Sequence, residues 1–530
     1  MTAEIRRSSR SVRRAACSVL FAFAIVSSVR AQDPAAGNAE ELISRIERIE
    51  RDRQLLIDRL DALENPAGAT AVTREIEGFV AFDEPIRAAD AIPGSAANDP
   101  GDSVAASDQV TVQAGQLSAL QKAFKQFQDD AGKKKYPNIS MNGVFQADSA
   151  WVHQDADSRD QFGPIEDGAG FRRARLSAKG SVTEHTNYFF QTDIGTAGIG
   201  RPSITDIWVE ETGVPFFGNV RVGQWKQPFS LEVVSSFRYT TFMERSSLFQ
   251  AFTPFRRLGA GFYDHSEDLS MTWAASAFHG GQDQYGDTYT NDGGYGTAER
   301  FTFLPYWERD GKEYLHLGVG HFFNAPANDV TLFRSIPELF IGAQTNGPTG
   351  TSGQPIPGAL NGVPFFVNTG SIGVNAYNVL GTEILVVDGP FSFQSEAMVN
   401  FVDQTGSSPL AVLPGAYAQI GYFLTGEHRP YDRKAGAIDR VIPSRNMKFC
   451  GDNGNGYGCG AWELAGRVSY LDLNDENIRG GTLTDTTVGL NWYLNPYLKC
   501  VFNWVHAISD SPTFSKSETD LFAMRTQVDF

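Results

Sequence analysis

Three observations predict an all-β fold for this 530-residue chain, a transmembrane antiparallel β-barrel of about 16 strands preceded by a short α-helical coiled coil and a linker. The first is a period of two, the spacing at which strand side chains alternate between faces. Ile139, Met141, Gly143, Phe145 and Ala147 alternate with Ser140, Asn142, Val144, Gln146 and Asp148. Asp206, Trp208 and Glu210 alternate with Thr205, Ile207 and Val209, and Glu463, Ala465, Arg467 and Ser469 with Leu464, Gly466, Val468 and Tyr470. The second is the spacing of connections. Long polar runs, such as 153–170, 280–299, 342–358 and 450–460, alternate with short turns, as in hairpins with unlike ends. The third is the C-terminus. Phe522, Met524, Thr526, Val528 and Phe530 fall on one face, Ala523, Arg525, Gln527 and Asp529 on the other, and the chain stops on an aromatic. Exposed in water such a strand invites aggregation, whereas in lipid its aromatics belong to an interfacial girdle.

In chain order, residues 1–31 predict a signal peptide: five arginines among residues 6–14, an apolar run from Ala15 to Val29, and cleavage after Ala31. No other segment carries the 18 apolar residues that a spanning helix needs, so any membrane span is β. Residues 38–64 predict a periplasmic coiled coil, with Leu42, Ile49, Leu56 and Leu63 in one heptad column and Ile46, Arg53 and Leu60 in the other. The charged Arg53 in the seam points to self-association. Residues 65–135 read as a flexible linker rich in Ala, Gly, Pro, Asp and Ser. It ends in a short amphipathic helix bearing Leu117, Leu120, Phe124 and Phe127. Residues 136–530 are left for the barrel. Strands of about 10 residues with their connections average roughly 25 residues each, which sets the strand number and leaves an aqueous lumen.

Charge excludes one function class and directs another. The chain has a net charge of −17, and removing residues 1–31, with six Arg and one Glu, lowers it to −22. Nucleic acid is therefore not an expected partner. Against this background the basic strand residues stand out. Arg173, Arg175 and Lys179 share one strand face, Arg221 opposes Val220 and Val222, Lys226 lies at a strand end or in a loop, and Arg300, Arg467 and Arg525 point away from apolar faces. A charge facing lipid costs about 2–4 kcal/mol at mid-bilayer, so these residues are expected to line the lumen and to bind and pass anions there. Arg172 falls on the apolar face and is expected at a membrane interface. The bland alternative is that the lumen arginines simply pair with Asp206, Glu210 and Glu463.

No catalytic pattern emerges, so the chain is not expected to be an enzyme. The histidines are scattered without metal-ligand spacing, with His316 and His321 on opposite strand faces, and no metal or cofactor is expected. Asp206 and Glu210 share a face as a glycosidase pair would, but read more simply as lumen wall. Cys450 and Cys459 bracket a turn-rich loop and are expected to form a disulfide after export, while Cys500 is a small apolar-face residue.

Several stretches carry a family likeness. Residues 170–180 (GFRRARLSAKG), 220–232 with 235–246, 426–443, and 460–475 with 478–507 resemble the porin O and P family, the phosphate-selective porins. The resemblance runs from Tyr136 to Phe530. It implies a trimeric 16-stranded outer-membrane porin in which arginines and lysines line the constriction and small anions, phosphate and polyphosphate among them, diffuse passively. It further implies that the coiled coil helps trimerisation in the periplasm. The barrel segment departs from that pattern with a net charge of about −15. A general, less selective channel and an envelope tether with the barrel as its anchor are the alternatives.

Overall fold

Sixteen amphipathic segments pair edge to edge and close on themselves. The computed structural model describes residues 136–194, 203–280, 294–341, 363–448, 458–511 and 516–530. The signal peptide, coiled coil and linker expected over 1–135 lie outside the described residues, as does Cys450.

The strands are β1 (Ser140–Gln154), β2 (Gly168–Ser181), β3 (Thr186–Asp193), β4 (Ser203–Val214), β5 (Gly218–Lys226), β6 (Arg256–His265), β7 (Met271–His279) and β8 (Tyr295–Glu308). They continue as β9 (Glu313–Ala325), β10 (Ile372–Asp388), β11 (Phe391–Gln404), β12 (Ala411–Phe423), β13 (Ala461–Asp475), β14 (Ile478–Asn495), β15 (Leu498–Asp510) and β16 (Ser517–Asp529). Each pairs antiparallel with its neighbours, and β16 closes on β1 from Val144↔Asp529 to Gln154↔Thr519. The strand number expected from segment length is the one found.

Alternation sorts the side chains. Ile139, Met141, Trp151, Ile207, Val209, Leu464, Val468, Phe522 and Val528 are exposed on the outer face, while Gln146, Asp148, Glu463, Arg467, Arg525 and Gln527 are buried inside. Phe530 lies on the outer face against Phe145, at 6.2 Å between ring centroids. It covers Gly143, where a Cβ would come within 2.4 Å of its ring. A glycine at that point leaves room for the terminal aromatic at the closing seam.

One local break in the alternation overturns an expectation. The β1–β2 register runs Gln146↔Arg173 and then Ala147↔Phe171, leaving Arg172 as an extra residue in β2. Such a bulge turns two consecutive residues toward one face. Phe171 faces outward, and Arg172, expected at a membrane interface, is 4% exposed and points inward beside Arg173.

The connections fill part of the interior. We call the end that carries Ser140 and Phe530 the terminal end and the opposite end the far end. From the far end, residues 227–255 fold inward, carrying the short helices α1 (Leu231–Val234) and α2 (Ser247–Phe252). Phe229, Leu248 and Phe252 pack with Phe333, Ile336, Leu339 and Phe340 of the 326–371 connection against inward residues such as Tyr377, Val402 and Leu471. Complete burial of each large side chain contributes about 1.5–3 kcal/mol, so this plug has a core of its own. The terminal end holds a second surprise. Its other connections are short, but residues 424–460 join β12 to β13 there, and their described part enters the barrel. The 450–460 run, grouped in the sequence with the loops of the opposite end, belongs to this terminal connection.

Candidate functional site: a cavity beside the plug

The plug leaves space against β3 to β8. A cavity of about 390 Å³ lies there. Its lining includes Arg221 and Lys226 of β5, Arg238 of the inward connection, Arg256 of β6, Arg300 of β8 and Lys434 of the terminal connection. Against these six cations stand Asp206 and Asp264 among the described lining residues. Aromatic side chains complete the wall, including Phe189 of β3, Trp208 of β4 and Tyr263 of β6.

The cations differ in how far they are already compensated. Arg221 donates twice to Glu210, at 2.9 and 2.6 Å, and Tyr263 donates to the same carboxylate at 2.6 Å. Its guanidinium lies over the Trp208 ring, 4.0 Å from the centroid. Arg256 meets Asp206 at 2.8 Å. Arg300 is bidentate on Glu383, at 2.8 and 2.7 Å, and donates to the Gly436 carbonyl at 2.8 Å. Lys226 is held otherwise: its Nζ donates to the carbonyls of Val233 and Ser235, each at 2.8 Å. These carbonyls end α1, where exposed C=O groups attract cations. Among the described residues no carboxylate forms an ion pair with Lys226 or with the exposed Lys434. Arg238 faces Asp529 at 4.0 Å, so the field in the cavity rests chiefly on these two lysines.

The remaining expected residues fall elsewhere. Arg173 donates to Gln146 at 2.8 Å, and Arg172 binds Glu244 through two bonds of 2.8 and 3.0 Å. Arg525 joins Glu244 at 2.7 Å and Asp148 at 2.8 and 2.6 Å. Burial pushes the Glu244 carboxyl up, but Arg172, Arg173 and Arg525 override it and hold it well below the usual carboxylate range. Arg175 pairs with Asp193 at 2.7 Å, and Arg467 with Glu338 at 2.7 Å. Arg172, Arg467 and Arg525 thereby pin the plug to the wall, while Arg175 ties β2 to β3. Lys179 is exposed near the terminal end of β2 and is not part of the cavity lining. Of the eight cations singled out in the sequence, Arg221, Lys226 and Arg300 come together in the cavity.

Sequence reasoning missed Arg238, Arg256 and Lys434 as lining residues. Arg256 opens a strand directly after the inward connection, and Arg238 lies within it, so neither has an alternating neighbourhood to betray it. Lys434 sits in a basic run recognised as a loop, without a sign that the loop turns inward. Asp206 and Glu210 are ion-paired wall residues, as their simpler reading held. Cys459 is exposed, and its expected partner Cys450 lies outside the described residues.

A closed barrel with an apolar outer face, a charged inner wall and a cation-lined cavity beside a partial plug is the architecture of a membrane channel. The chain belongs to the phosphate-selective porin O and P family, whose model matches residues 140–530. Porin O of Pseudomonas aeruginosa is 25% identical over 377 residues, covering 68% of this chain and 81% of that relative. An uncharacterized protein of Caulobacter vibrioides is 25% identical over 346 residues, covering 64% of this chain and 62% of its own length. Among solved structures, the trimer form of OmpT, an outer membrane protein of Vibrio cholerae, overlays with a TM-score of 0.44 at 9% identity, covering 75% of this chain and 100% of that one. The outer membrane channel DcaP of Acinetobacter baumannii gives 0.41 at 10% identity, covering 75% and 99%. By its family this chain is an outer-membrane porin channel.

Proposed function

We propose that the barrel passes small anions by passive diffusion, with the cavity beside the plug as its selective passage. The observation that carries this reading is the local charge. Six cations and two carboxylates line the cavity of a chain whose net charge is −17. A cationic lining lowers the barrier for anions and raises it for cations, whatever the sign of the loops outside. The family's description and the name of its Pseudomonas relative favour phosphate among the solutes.

In this reading the far end faces the exterior and the terminal end the periplasm. Residues 1–31 direct export, and the coiled coil at 38–64 supports a homotrimer beneath the membrane lipid. Cys450 and Cys459 close a disulfide loop. The purified protein is expected to give discrete current steps in planar bilayers. Replacing both lysines that lack a carboxylate partner, Lys226→Glu with Lys434→Glu, is expected to lower the chloride-to-potassium permeability ratio severalfold. Absence of current contradicts the channel reading, and an unchanged ratio in the double variant contradicts the cavity as the selective passage.

A further inference from the structure

Resting on the anion-channel reading, we infer that the cavity prefers singly charged aromatic carboxylates to inorganic phosphate. Two observations carry this. The first is that little cationic charge remains uncommitted. Arg221, Arg256 and Arg300 each hold a carboxylate at 2.6–2.8 Å and Arg238 lies 4.0 Å from Asp529, which leaves Lys226 and Lys434 as the lining cations without one among the described residues. A doubly charged phosphate gives up a large hydration shell and needs several uncommitted donors in return. A monocarboxylate needs far fewer.

The second is the form of the wall. Phe189, Trp208, Arg221 and Tyr263 come from four successive strands and make one continuous row. Phe189 stacks on Trp208 with centroids 5.6 Å apart and an interplanar angle of 20°. Arg221 lies 4.0 Å from the Trp208 centroid and 4.9 Å from that of Tyr263. Trp208 is flanked on its two sides by Phe189 of β3 and Arg221 of β5, so its edge is what remains for the cavity. Aromatic edges carry the positive end of the ring quadrupole and favour the face of another ring. Inorganic phosphate gains nothing from such a surface. A benzene ring bearing one carboxylate gains from both parts of the cavity, its ring against the row and its anionic end toward Lys226. At about 390 Å³ the cavity falls in the ordinary range of small-molecule sites.

The test is block of chloride current through the purified full chain in planar bilayers, with sodium benzoate and inorganic phosphate as competing probes at about pH 8.5, where phosphate is almost wholly the dianion. Benzoate is expected to halve the current at a concentration about tenfold below that of phosphate, and Trp208→Leu to raise the benzoate value about fivefold to tenfold without moving the phosphate value. Phe189→Leu, at the end of the row and not in contact with Arg221, is expected to give a smaller shift of the same sign. It serves if the Trp208 variant does not assemble. Equal or stronger block by phosphate overturns the aromatic preference and leaves the anion channel standing. A benzoate block unmoved by either variant overturns the role of the row. Block by neither probe, together with cation-selective current, overturns this inference along with the reading on which it rests.

Discussion

Glu244 shows how a single carboxylate holds several cations in place. It accepts from Arg172 and Arg525, lies 3.5 Å from Arg173, and sits in the inward connection while all three arginines belong to the wall. Breaking a buried ion pair by removing one partner costs about 3–5 kcal/mol, because the other charge is left uncompensated. Glu244→Gln is therefore expected to loosen the plug, seen as larger and noisier conductance steps and a lower thermal midpoint. The pH dependence follows from the direction of the shift. The folded carboxyl titrates below its ordinary value of 4.5, so its contribution is complete above that value and is lost as pH falls through the depressed folded one. Wild-type conductance should stay level from neutral pH to about 4.5 and become noisy only in stronger acid, while the Gln variant is noisy throughout. A quiet Gln variant at neutral pH would deny Glu244 this role. Alternation in the sequence correctly turned Arg173, Arg175, Arg467 and Arg525 inward. It misplaced Arg172 because a bulge depends on pairing with a partner strand, and one strand's pattern does not reveal it.

At the scale of elements, two connections shape the passage from opposite ends. The 227–255 connection is fastened to β11 by Glu396, which accepts from the backbone N–H groups of Leu231 and Glu232 at 3.1 and 2.9 Å and so caps α1. The other end of α1 grips Lys226, so one carboxylate on the far wall positions a cation of the cavity. The terminal connection is latched by a chain of contacts. Tyr431 Oη lies 2.7 Å from His316 Nδ1, His316 Nε2 lies 3.1 Å from Glu383, and Glu383 holds Arg300, which donates to the Gly436 carbonyl. Gly436 has a φ of +60°, and a Cβ there would stand 2.8 Å from Thr272 Oγ1 and 3.2 Å from the Arg300 side chain. The latch thus needs glycine for both conformation and space. Tyr431→Ala is expected to free this connection and raise single-channel conductance, whereas Tyr431→Phe, which keeps the ring packed on Trp307 and Tyr314, should have the smaller effect. Equal conductance in wild type and the Ala variant would contradict a latch. Strands were legible in the sequence because each carries its own period of two. The inward course of 227–255 and 424–448 was not, since it depends on contacts with strands hundreds of residues away.

Across the whole molecule, charge is partitioned by the barrel wall. Strand arginines are drawn inside because the outer face must meet lipid, and inside they are largely matched by Asp148, Asp193, Asp206, Glu210 and Glu383. The sequence raised such pairing as its simpler alternative, and it holds for most of them. Net charge is therefore a poor guide to the pore, which depends on the few cations left without a carboxylate beside the passage. Barrel class, strand number and the facing of most residues could be read from alternation and segment length. The cavity could not, because it is the space left between wall and plug. The most direct test of the central claim is the zero-current potential of the wild-type protein in a planar bilayer separating unequal KCl solutions. A lumen dominated by Lys226 and Lys434 predicts the sign set by chloride, despite the acidic chain. A potential with the sign set by potassium would contradict it.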